Sequence, residues 1–350
     1  MVDRTPVQLS TRAERDALDV VGIGFPLVDV LAVVPDHHLA ELGLVKGSMT
    51  LIDHSTSQSI FTTLPDPIEV SGGSAANTLA GIASLGGSAG FIGRIADDMA
   101  GHRFAEVIAD AGIIFEPMFV DVEVDDAGEP DGTGRCLVLV TDDAERTMLT
   151  HLGSGAHLTP GHIDEAFVQR GQILYVEGYQ YDLPMAKAAI AKAIAAAHEG
   201  GGSVAISLSD SFCVERHRSD FLDLVEGEIE ILFGNRDEVL ALFDTDDFDH
   251  ALASLEETGV LAAVTCGAEG SIIVTPQGRI AVAAYPVDAV VETTGAGDLF
   301  AAGFLYGLSV GLDLEACGQL GGLCAAEVIS HMGARPERDL AELAMDAGIL

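Results

Sequence analysis

Between residues 173 and 265 the chain switches its hydrophobic period at regular intervals. Short β-branched runs at 173–176, 204–208, 229–233 and 261–265 alternate with helical stretches at 185–198, 219–225, 238–243 and 248–257. Strands separated by helices are suited to parallel pairing, because each crossover must return over a sheet face. Regular alternation of this kind implies that helices cover both faces of that sheet. The stretch therefore predicts an α/β fold, a mostly parallel sheet flanked by helices on both faces. Further strands are expected at 271–275 and 280–284.

Upstream the pattern is less regular. Residues 19–34 read as strand, turn, strand, followed by a short helix at 37–43 and a strand at 49–52. An extended piece then passes through Gly72 and Gly73 into a helix at 75–85, with a strand at 91–95 and a glycine-ended helix at 99–112. Apolar pieces at 113–122 and 136–140, separated by the acidic, glycine-rich 125–134, suggest a hairpin with a long loop, and 147–152 another strand. These insertions predict a small β lid from 29–67 and 113–152 over a large body of 19–28, 68–112 and 153–350, after an N-terminal extension of 1–18.

Composition narrows the function. The 350 residues carry a formal charge of -38 and only three lysines, which disfavours nucleic acid and anionic lipid as partners. Such acidity also suits a salt-rich interior, where screening eases self-repulsion. The longest low-charge run, 299–312, is shorter than a membrane span of roughly 20 residues. No apolar leader precedes residue 19, so a soluble, cytoplasmic protein is expected. Five scattered cysteines without a CxxC pair point to reduced thiols, and the histidines show no HxxH or HExxH spacing.

The chemistry concentrates at Thr293-Thr294-Gly295-Ala296-Gly297-Asp298, which runs into an apolar helix with Gly303 and Gly307 four residues apart. A helix beginning here leaves the Gly295, Ala296 and Gly297 amides free and adds the positive end of its dipole, an anion hole beside the Asp298 carboxylate. A plain glycine turn with an Asp cap is the competing reading. Asp29, with Gly72, Gly73, Ser74 and Asn77, combines a carboxylate, an amide and close backbone, as vicinal sugar hydroxyls require, although Asx turns would use the same residues. Asn235 and Glu238 follow a strand end and could hold hydrated Mg2+ through its waters, or simply cap the next helix. Thr265, Gly267 and Gly270 form either a hairpin turn or a cradle for nucleotide phosphates. Arg146, a rare cation before a lid strand, could neutralise transferring phosphate or sit in a surface ion pair.

Together these stretches resemble the PfkB, or ribokinase-like, carbohydrate and nucleoside kinase family. Gly72 to Asn77 resembles its first signature, Thr293 to Asp298 its second, and Asn235 to Glu238 the intervening N-x-x-E. Within the family the chain is most similar to adenosine kinases. The supporting segments are Gly22 to Asp29, Gly132 to Cys136, His151 to Gly155 and Ile231 to Asn235. The resemblance implies ATP and Mg2+, with K+ a further candidate, and a nucleoside or sugar acceptor. It makes Asp298 the base, lets Asp29, Gly73 and Asn77 hold ribose, and adds Phe25, Met49, Leu152, Ser154 and Tyr179 to the substrate pocket and Thr294 to the nucleotide side. Phe25 stands where adenosine kinases usually carry Asn, Met49 where a polar residue is common, and Glu292 where the monovalent-cation loop usually has Asp. The implied reaction is phosphorylation of a nucleoside 5'-hydroxyl, adenosine first, by a monomer or homodimer. Its rivals are a ribokinase- or fructokinase-type enzyme, a kinase of inosine, guanosine or cytidine, and a nucleoside-binding protein without catalysis. A nicotinamide oxidoreductase is disfavoured because Pro26 interrupts the glycine fingerprint after Gly24.

Overall fold

The computed structural model describes residues 17–350 except 117, 125–129 and 144; the expected N-terminal extension, apart from its last two residues, and much of the acidic loop lie outside the described residues. Nine strands form the large sheet in the order Gly278–Val282, Ser271–Thr275, Leu261–Thr265, Ile231–Asn235, Ser203–Ser207, Gly171–Glu177, Leu18–Ile23, Ala89–Ile92 and Ile114–Phe115. All neighbours from Leu261–Thr265 to Ile114–Phe115 run parallel, and the two C-terminal strands are antiparallel. Successive side chains alternate between two buried layers. Val21, Leu174, Val176 and Ile206 join one, and Val20, Ile173, Tyr175 and Phe233 the other, which explains why the runs are mostly apolar.

The helix Ala296–Ser309 packs in the second layer against Leu314–Val328 and Ser74–Ser84. A β-carbon at Gly303 would stand 2.6 Å from the Leu320 carbonyl oxygen, and one at Gly307 2.9 Å from Cys317 Sγ. The paired glycines therefore set the approach of two helix axes, as their spacing implied.

A second, five-stranded sheet has the order Met49–Leu51, Arg146–Gly153, Thr133–Val140, Leu27–Val33 and Ile68–Gly72. Val30, Ala32, Leu137, Leu139 and Leu149 face the helices Asp36–Glu41 and His54–Phe61, burying Leu39 and Ile60. The opposite face, with Leu27, Cys136, Val138 and Met148, looks into a cleft over the large sheet.

Strand pairing corrects the expected outline of the small sheet. Leu27, Val28 and Ile68–Gly72, assigned to the body, belong to it, whereas the 113–122 piece does not. Ile114–Phe115 extends the large sheet instead, and Phe115 packs its ring edge-on against Phe91 and Phe104. Among the described residues the 113–122 piece does not pair with 136–140; Thr133–Val140 pairs instead with Arg146–Gly153 and Leu27–Val33. The 91–95 strand breaks at Gly93, its second half pairing with Met118–Val120. The helix expected at 219–225 begins at Ser211, where Asp210 accepts the Cys213 amide at 2.6 Å as its N-cap.

Candidate active site

One cavity of about 770 Å³ runs between the two sheets, and most of the candidate residues line it. The small sheet contributes Asp29, Met49, Arg146 and Leu152, and the large domain Phe25, Gly73, Ser74, Asn77, Tyr179 and Asp298. Farther along are Thr294, Gly295, Ala296, Gly297, Asn235, Glu238, Thr265, Gly267 and Gly270. Two candidates fall outside the wall. Ser154 is fully buried in a short 3-10 helix with its amide on the Gly132 carbonyl, and Gly72 lies beneath Asp29.

At the floor, two helix N-termini meet. Ser74–Ser84 starts after Gly73, and Ala296–Ser309 after Gly295, whose φ of 78° is the left-handed turn that glycine adopts without penalty. Asp298 occupies the first turn of the latter helix. Its Oδ1 accepts from Ser74 Oγ at 2.7 Å and its Oδ2 from Asn77 Nδ2 at 3.0 Å. Burial raises its pKa, opposed by these two hydrogen bonds and by the Arg146 charge. Arg146 forms no ion pair among the described residues, so its guanidinium is committed to no carboxylate of the surface.

A first helical turn leaves amides without intrahelical acceptors, and the space in front of Gly297 is open. Ala296 differs from expectation in one respect: its amide already donates to Thr293 O, at a long 3.3 Å. Thr294 Oγ1 and Glu292 Oε1 are buried without hydrogen-bond partners, while Glu292 Oε2 accepts the Gly333 amide at 3.1 Å.

Asp29 is 7% exposed and lies directly over Gly72, where a β-carbon would stand 2.1 Å from its carboxyl carbon. Burial pushes its pKa up to about 7, with Arg335 acting to lower it and Asp298 and Glu292 to raise it. Phe25 is fixed through its backbone, its amide donating to Glu177 Oε1 at 2.7 Å. The other Glu177 oxygen accepts Ala75 N at 3.0 Å, so one buried carboxylate ties the Phe25 loop to the start of the Ser74 helix. Burial raises Glu177 to about 7. Neither Glu177 nor Arg335 was marked by the sequence. Glu177 ends a strand at the sheet's C-terminal edge, which is the signal that could have found it; Arg335 follows a Gly333-Ala334 pair, a weak one.

Asn235 and Glu238 form a reciprocal cap. Asn235 Oδ1 accepts Glu238 N at 2.9 Å, Asn235 Nδ2 donates to Glu238 Oε1 at 2.7 Å, and Asn235 N donates to Glu238 Oε2 at 2.9 Å. Burial lifts Glu238 to about 7. Among the described residues no three His, Cys, Asp or Glu side chains are grouped to hold a metal directly. A carboxylate so capped keeps lone pairs for a metal's water shell, the contact expected of Mg2+ carried on phosphates. Nor, among the described residues, is any helix long and apolar enough to cross a membrane.

A carboxylate at two converging helix N-termini, an open glycine face beside it and a second buried carboxylate across the cleft define a small-molecule kinase, a phosphotransferase with an alcohol group as acceptor. The profile of the pfkB family of carbohydrate kinases matches residues 48–339, and the chain belongs to that family, with its ribokinase-like fold. The chain is 30% identical over 336 residues to adenosine kinase of Saccharomyces cerevisiae, covering 90% of this chain and 95% of that one. A solved structure titled adenosine kinase from Sinorhizobium meliloti superposes with a TM-score of 0.90 at 44% identity, over 94% of this chain and 99% of the other. One titled probable sugar kinase from Rhizobium etli gives 0.91 at 40% identity, over 95% and 99%.

Proposed function

We propose that this enzyme transfers the γ-phosphoryl group of ATP to the 5'-hydroxyl of a nucleoside, adenosine before others. The observation that carries the reading is the character of the compartment above Asp298. Leu27, Met49, Leu51, Cys136, Val138 and Met148 give it an apolar roof, suited to a flat heterocycle, while Asp29 and Asn77 line the same cavity with an acceptor and an amide suited to ribose hydroxyls. The yeast and Sinorhizobium adenosine kinases support the same assignment.

In this reading Asp298 orients the attacking hydroxyl and accepts its proton as the phosphorus is transferred. Ser74 and Asn77, now bonded to Asp298, hold the carboxylate in place. Gly295 to Gly297 and Arg146 face the developing negative charge, and the transition state is loose, so positioning contributes more than base strength. The donor nucleotide extends past Asn235, Thr265, Gly267 and Gly270 toward Tyr285 and Ala325, all on the cavity wall. Asn235 and Glu238 would hold the water shell of an Mg2+ ion, which would supply charge neutralisation to the phosphates. The small sheet acts as a lid that excludes water.

A free-sugar kinase is the second reading, favoured by Phe25. Buried to 2% exposure, it presents no side-chain hydrogen bond to a base edge. Turnover of ATP with adenosine, inosine, guanosine, cytidine, ribose and fructose decides between the two. Adenosine as the best acceptor is expected; ribose or fructose turnover without nucleoside turnover would overturn the nucleoside assignment.

A further inference from the structure

The segment from Gly333 to Arg335 is seated against the site from behind. Gly333 N donates to Glu292 Oε2 at 3.1 Å, and a β-carbon on Gly295 would meet Ala334 Cα at 2.8 Å. Beyond it, Glu327 Oε1 accepts the Glu337 and Arg338 amides at 3.1 and 3.0 Å. Held at both ends, the segment directs Arg335 into the wall of the acceptor compartment. There Nη2 donates to Ser71 Oγ at 2.9 Å and Nε to Asn77 Oδ1 at 3.4 Å. Arg335 does not line the cavity; it stands behind residues that do.

We propose that Arg335 is the positioning residue of the acceptor site, orienting the Asn77 amide toward Asp298. The inference rests on the acceptor reading above and adds a residue to it. An amide has two ends. With Oδ1 occupied by the guanidinium, Nδ2 must face the Asp298 carboxylate, so the chain Arg335 to Asn77 to Asp298 has one polarity. Its charge acts separately, favouring the ionised form of Asp29 without outweighing burial. Asp29 is faced by Asp298 from the helix, Glu292 from the preceding loop and the Cys136 thiol from the neighbouring strand; Arg335 is the cation that acts on Asp29 itself, while Arg146 of the small sheet acts on Asp298 and Cys136. Burial lowers the Arg335 pKa only to about 10, so it stays charged throughout the working range.

Arg335→Met and Arg335→Lys separate the two effects. Arg335→Met is expected to raise the acceptor KM at least about tenfold, leave the ATP KM unchanged and move the acid limb of acceptor kcat/KM up by about one pH unit. Arg335→Lys keeps the charge and returns the limb, but cannot make both bonds of the planar fork, so the acceptor KM stays raised. Wild-type acceptor KM and acid limb in Arg335→Met would overturn the proposal, as would equal losses for ATP and acceptor with an unmoved limb, the pattern of a merely structural residue. If Arg335→Met does not fold, Ser71→Ala removes one anchor of the guanidinium; unchanged acceptor KM both there and in Arg335→Lys would overturn it too. Asp298→Asn runs alongside: its inactivity beside an unaffected Arg335→Met sinks this inference alone, whereas activity in Asp298→Asn sinks the acceptor reading.

Discussion

Gly72→Ala is the most local probe of the acceptor site. The added β-carbon would lie 2.1 Å from the Asp29 carboxyl carbon and 2.1 and 2.2 Å from its oxygens, well inside contact distance. The backbone there is a strand paired to Leu27–Val33, so the carboxylate must swing away rather than the chain. If Asp29 accepts two acceptor hydroxyls, each charge-assisted bond contributes about 1.5–3 kcal/mol, and losing both weakens acceptor binding by about 3–6 kcal/mol. That corresponds to a fall of about 10²–10⁴ in kcat/KM for the acceptor. The ATP KM should not change, because the donor residues lie along the other arm of the cavity. Steady-state kinetics with each substrate varied, and a thermal melt to verify folding, measure this. An acceptor kcat/KM within about threefold of wild type in folded Gly72→Ala protein would refute the assignment of Asp29.

Other expectations follow from the same geometry. Gly303→Ala puts a methyl 2.6 Å from the Leu320 carbonyl and should destabilise the helix pair by about 1–3 kcal/mol, read as a lower denaturation midpoint. Glu177 and Glu238 both have folded pKa values raised from 4.5 to about 7, so the folded state binds more protons between those values. Their contribution to stability is full below pH 4.5 and is lost as pH rises through about 7. Midpoints measured in high salt, which screens the surface charge, should therefore fall from pH 5 to pH 7.5; a flat or rising profile would contradict the burial argument. Chelation of Mg2+ should abolish phosphoryl transfer while leaving acceptor binding by calorimetry intact.

Periodicity made the parallel sheet legible because its strands are buried on both faces, and the helix start at Asp298 was legible because glycines and an acid precede an apolar run. The small sheet was harder. Ile114–Phe115 has the same apolar composition as a lid strand, and its place in the large sheet depends on pairing with Ala89–Ile92 and ring contacts with Phe91 and Phe104, all distant in sequence. The helix from Ser211 hid because Ser211-Phe-Cys-Val-Glu-Arg-His-Arg218 has no clear apolar stripe, and its start depends on one Asp210 cap. At the site, the residues within each signature could be read together, but Glu177 reaches Ala75 across 102 positions and Arg335 reaches Asn77 across 258. No local pattern encodes such contacts. Asn235 and Glu238 show the reverse: their spacing was visible, and it encodes a helix cap whatever else they touch.

The central claim is that Asp298 is the base at the meeting point of two helix N-termini. Asp298→Asn keeps the size and the contact with Ser74 while removing the proton acceptor. Acceptor affinity by calorimetry should stay within a few-fold of wild type, while kcat falls by about 10³-fold or more. Near-normal turnover in this variant would contradict the account.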